Sequence, residues 1–100
     1  ATEGTRVLWL GLPPMRDARL GRRAAYLNAV FAASARRVPR VEFLQLDMLV
    51  SPGEGRYATF MQGPDGRLLR YRLDDGVHLA PAGSRAIARW VLDWVRERSR

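Results

Sequence analysis

Asp75 and His78 stand three residues apart in Asp75-Gly76-Val77-His78, and His78 is the only histidine of the chain. A turn that brings such a pair together makes a general base and its orienter. The imidazole takes the proton of a hydroxyl nucleophile, and the carboxylate fixes the tautomer and steadies the imidazolium. Pro81 follows and suits the first turn of a helix, so the pair sits just ahead of a helix start. A base of this kind needs a nucleophile, and the serines are Ser34, Ser51, Ser84 and Ser99. Ser34 and Ser84 fall in or at expected helices, Ser99 is at the tail, and Ser51 precedes Pro52 in a turn-forming stretch. None occupies a strand-to-helix turn that presents an activated hydroxyl. Asn28, inside the first expected helix, is a poor oxyanion donor.

Other chemistries are bounded by composition. The chain has no cysteine, which removes disulfides, thiolate catalysis and cysteine-based zinc sites. One histidine removes a histidine-rich metal site, although carboxylates could hold a hard cation. No cofactor is expected. The net charge of +7 comes from seventeen basic residues, all arginine. They are scattered as singles or pairs (Arg22-Arg23, Arg36-Arg37) without interleaved aromatic residues. This favours a solvated face over a nucleic-acid surface. No apolar run is long enough to span a bilayer, and no signal peptide is visible. Residue 1 is Ala, so the expectation is a chain processed, cut or taken from within a longer protein.

The elements that must position the pair read as strand, helix, strand, hairpin, helix. Arg6 to Leu12 is a nearly continuous apolar run, as in a strand buried on both faces, and Pro13-Pro14 ends it. From about Leu20 to Arg37 the pattern is helical, with Leu20, Ala24, Leu27, Phe31, Ser34 and Ala35 as its inner stripe and Pro39 as its stop. Val41 to Val50 reads as a second strand, broken by Ser51-Pro52-Gly53-Glu54-Gly55. Strand, helix, strand implies a crossover and parallel pairing. Tyr57–Gln62 and Arg67–Arg72 flank Gly63-Pro64-Asp65-Gly66 and predict a hairpin, an excursion over residues 56–73. Pro81 to about Arg98 is a helix with Ile87, Trp90, Val91 and Trp94 on its inner face. Ala80 stands where a capping Ser or Thr would be worth roughly 1 kcal/mol. In open α/β sheets ligands sit outside the carboxyl ends of the strands. The loop with Met15 and Arg16 and the segment with Asp75 and His78 both reach that edge.

Asp75-Gly76-Val77-His78-Leu79, followed by Pro81-Ala82-Gly83, resembles the last conserved block of the SGNH (GDSL-type) hydrolase superfamily. Trp9-Leu10-Gly11-Leu12-Pro13-Pro14-Met15-Arg16 and the hairpin with Pro64-Asp65-Gly66 are similar to one bacterial branch, a domain of unknown function that is often exported. The resemblance implies a flavodoxin-like three-layer α/β/α fold with parallel core strands. It implies metal-free hydrolysis or transfer of acyl esters, with a small-molecule or carbohydrate ester as substrate. His78 matches the general base and Asp75 its orienting acid; Arg16 and Met15 are candidates for substrate contact. The superfamily's Gly-Asp-Ser motif and its oxyanion glycine and asparagine motifs have no match. Residues 1–100 therefore read as a single incomplete domain, the C-terminal half of such a hydrolase, whose strands would be the fourth and fifth of the sheet. A periplasmic or exported location follows from the resemblance, and a cytoplasmic one stays open.

Plainer readings stand beside these. His78 and Asp75 could form only a helix-entry turn, Asp74 a solvated turn carboxylate, Arg16 an exposed loop residue and Met15 packing beneath the loop. The alternative function is a non-enzymatic, basic binding or structural module. An apolar strand edge without neighbours also predicts either a missing N-terminal half or self-association.

Overall fold

A computed structural model of the chain describes residues 4–99. The elements are β1 (Val7–Leu10), α1 (Ala18–Arg36), β2 (Val41–Leu44), α2 (Asp47–Val50), β3 (Phe60–Gln62), β4 (Leu68–Arg70) and α3 (Pro81–Arg98). The architecture is mixed α/β. β1 and β2 pair in parallel, with Val7 opposite Val41 and Leu10 opposite Leu44, and α1 makes the crossover between them.

Successive side chains of a strand point to opposite faces. Trp9 stacks on Phe31 of α1 at 4.8 Å between ring centroids and meets the edge of Phe43. Leu8 and Leu44 turn the other way, into a cluster with Leu46, Val50, Tyr71 and Ile87 of α3. Each face of the ribbon therefore carries a packed layer, but β1 is not buried on both faces as its apolar run predicts: Leu8 and Trp9 are half-buried and Val7 and Leu10 exposed, because no further strand among the described residues lies beside it. The far end of α3 is tied to β2 by Glu42, whose carboxylate accepts from the indole N–H of Trp94 and from Arg98 at 2.8 and 3.0 Å. The Arg98 and Trp94 hydrogen bonds hold the Glu42 carboxyl below its usual range.

α1 starts where Asp17 accepts from the Leu20 amide, a side-chain cap. Its inner face is Ala24, Asn28, Phe31 and Ala35, whereas Leu20 and Leu27 of the expected stripe are about two-fifths exposed, at 38% and 42%. The small residues Ala24 and Ala35 let the helix lie close to β2, and that approach selects the buried face over hydrophobicity alone.

The second strand is shorter than its apolar run. It ends at Leu44, and Asp47–Val50 form one helical turn. Leu46, Leu49 and Val50 have i, i+3, i+4 spacing, and Leu46 and Val50 are buried. A short apolar run fits either period, and here packing against α3 selects the helical one. The hairpin forms with β3 and β4 antiparallel, at three residues each. Its inner residues Met61, Leu69 and Tyr71 join the core.

α3 occupies the predicted span, with Pro81 at its first turn and no side-chain cap from Ala80. Its inner face is the predicted one: Ile87 and Trp94 are buried, with Trp90 and Val91 half-buried. Gly83 lies against the Tyr71 backbone so closely that a Cβ there would overlap the Tyr71 carbonyl. This contact seats the start of α3 on the segment that carries Asp75 and His78. No helix among the described residues is long and apolar enough to cross a membrane.

Candidate active site

Beyond β4 the chain does not run straight into α3. Tyr71–Leu73 turn back against His78–Ala80: the Leu73 amide donates to the His78 carbonyl and the Ala80 amide to the Tyr71 carbonyl, both at 2.8 Å. Arg72 and Leu79 are bridge partners. Asp74 to Val77 form the tip of this narrow loop, closed by Gly76 N–H donating to the Leu73 carbonyl at 3.2 Å. Gly76 has φ +71°, and a Cβ there would fall 2.8 Å from Arg16. Both the left-handed backbone and that close approach call for glycine.

The tip holds Asp75 by several bonds. Its Oδ1 accepts from the amides of Val77 at 2.8 Å and His78 at 2.9 Å. Its Oδ2 lies 2.5 Å from His78 Nδ1. The His78 side-chain hydrogen bond, then the two backbone donors, holds the Asp75 carboxyl well below the usual carboxylate range. Asp75 is thus ionised at neutral pH and only accepts, so Nδ1 carries the proton. The lone pair of a neutral imidazole then sits on Nε2. The His78 side chain is 73% exposed, which leaves Nε2 open to solvent. The arrangement can take a proton from a group brought to that surface.

The first loop meets this tip. The Arg16 amide donates to the Gly76 carbonyl at 3.1 Å, and its guanidinium to the Asp74 carbonyl at 2.9 Å. Asp74 also accepts from Arg70 at 2.8 Å. Met15 is half-buried, with Sδ 3.9 Å from Arg72. All four predicted residues therefore gather at one place: Asp75 and His78 in direct contact, Arg16 against the tip, Met15 beneath the loop.

No hydroxyl hydrogen-bonds to the His78 ring among the described residues. Ser51 is buried and closes a local turn with Gly53, and the Ser99 hydroxyl donates to the Val95 carbonyl. Asn28 is engaged by the first loop: it accepts from Leu12 N–H at 2.8 Å and donates to Leu12 C=O at 2.9 Å. No three histidine or acidic side chains converge among the described residues. Arg22 and Arg23 are exposed on α1.

Sequence reasoning missed Arg72. It is fully buried and donates to the carbonyls of Pro14 at 2.5 Å and Val77 at 2.6 Å. In the sequence it is one arginine among seventeen, six residues before the histidine. That its side chain is buried between two loops emerges only from the fold.

No curated protein matches the chain. A family model described as a protein of unknown function matches residues 1–94, a span that holds the first loop, Arg72, Asp75 and His78. By that match the chain belongs to the DUF459 family.

Proposed function

We propose that the chain is the C-terminal segment of a serine-dependent, SGNH-type acyl-ester hydrolase. His78 is the general base that activates the serine and then protonates the leaving alkoxide. Asp75 orients the ring and stabilises the imidazolium. The observation that carries this reading is the 2.5 Å contact of Asp75 with His78 Nδ1, which leaves Nε2 open on the exposed side of the ring. Both residues lie in the segment whose residues resemble the last block of that superfamily.

The nucleophile and the oxyanion donors come from outside this chain. Ser51 and Asn28 are tied up in local contacts, as above. The exposed His78 lacks the wall that would exclude water around a reacting ester. The complete domain is a flavodoxin-like three-layer fold in which β1 and β2 are the fourth and fifth parallel strands. The exposed edge of β1 supports this, since Val7 and Leu10 there are 41% and 42% exposed. Arg16 faces the substrate from the first loop, where a free guanidinium N–H can donate to an ester carbonyl or an anionic group, and Met15, half-buried beneath that loop, supports it. The substrate is a small-molecule or carbohydrate acyl ester.

The test is hydrolysis of p-nitrophenyl acetate by the polypeptide that joins these residues to the serine-bearing segment. Turnover there, absent from the 100-residue chain and lost in His78→Ala, supports the assignment. Turnover that survives His78→Ala refutes it.

A further inference from the structure

Arg72 has no exposed surface, and no carboxylate hydrogen-bonds to its guanidinium among the described residues; Asp75 acts on it only through space. A buried charge with no counter-ion in direct contact is costly unless its hydrogen bonds are well made. Two of them are short. Nη1 donates to the Pro14 carbonyl and Nη2 to the Val77 carbonyl, while the guanidinium lies 4.9 Å from the Tyr57 ring centroid. Nε has no partner among the described residues and Nη2 also lies 3.9 Å from Met15 Sδ, so the short hydrogen bonds of the group are the two to carbonyls.

The Val77 carbonyl and the His78 amide are two ends of one planar peptide. Arg72 holds the oxygen end, and Asp75 Oδ1 holds the N–H end at 2.9 Å. The plane is fixed from both sides, and the Cα of His78 is fixed with it. The same guanidinium reaches Pro14 in the first loop, so that loop and the tip are pinned to one rigid group.

We propose that Arg72 is a positioning residue: by clamping the Val77–His78 peptide and the Pro14 carbonyl, it sets His78 against Asp75 and registers the pair with the first loop. The catalytic consequence rests on the reading of His78 as a base; the clamp does not. Lysine keeps the charge but cannot bridge two carbonyls with a rigid fork.

Proton and nitrogen NMR of the chain tests this. The wild type should show a downfield Nδ1–H signal from His78 bonded to Asp75. In Arg72→Lys that signal should move upfield or vanish, and the Val77 and His78 amides should exchange faster by about tenfold, with α1 amides unchanged. An Arg72→Lys protein with the same signal and the same exchange overturns the proposal. If that variant does not fold, the wild type still decides. Slowly exchanging Arg72 Nη protons, with couplings to the Pro14 and Val77 carbonyl carbons, support the clamp, and freely exchanging ones overturn it. A catalytically inactive polypeptide with slow Arg72 protons would remove the hydrolase reading and leave this one standing.

Discussion

At the scale of residues, the Asp75 carboxylate is the best-held group of the site. Three N–H groups reach it, two from the backbone of the same turn and one from the imidazole. Its folded-state affinity for protons is lowered, so its contacts contribute above the ordinary carboxylate range. They are lost only as pH falls through the depressed folded value. A carbon-detected titration of Asp75 should therefore give a midpoint well below about 4, the ordinary value. A midpoint near that value would mean that the turn is not formed. The pair was legible in the sequence because spacing alone lets one turn join aspartate to histidine. Arg72 was not, because its role depends on which carbonyls end up beside a buried guanidinium. Pro14 and Arg72 are far apart in sequence and meet only in the folded chain.

At the scale of elements, the site is built where two loops lock together, and each lock has a named pin. Asn28 is the pin of the first loop. Its carboxamide takes both the N–H and the C=O of Leu12, just past β1. Asn28→Ala leaves two half-buried backbone groups unpaired, at a cost of about 1–3 kcal/mol. Its urea midpoint should fall accordingly; an unchanged midpoint would show that the loop does not depend on this clamp. The order of elements and the span of α3 were legible, since Pro81 and the Ile87, Trp90, Val91, Trp94 stripe leave little choice. The end of β2 was not legible. Leu46, Leu49 and Val50 serve a strand or a helical turn equally until α3 packs on them. The return of Tyr71–Leu73 against His78–Ala80 also escaped, because the turn residues Asp74, Asp75 and Gly76 read as a loop rather than as the tip of a second hairpin.

At the scale of the whole molecule, a two-stranded parallel ribbon is a small core, and one edge of β1 carries exposed Val7 and Leu10. Unpaired strand edges template association. Sedimentation velocity of the chain alone should show concentration-dependent self-association, weakened by Leu10→Lys. A clean monomer at high micromolar concentration would contradict this. Under the proposed function, the missing half of the chemistry lies on an adjoining polypeptide. Steady-state hydrolysis of p-nitrophenyl acetate by the serine-bearing polypeptide, with and without His78→Ala, tests that claim most directly. The account predicts that the substitution lowers kcat by about 10²–10⁴-fold and that the 100-residue chain alone stays at background. Undiminished turnover in His78→Ala would contradict it.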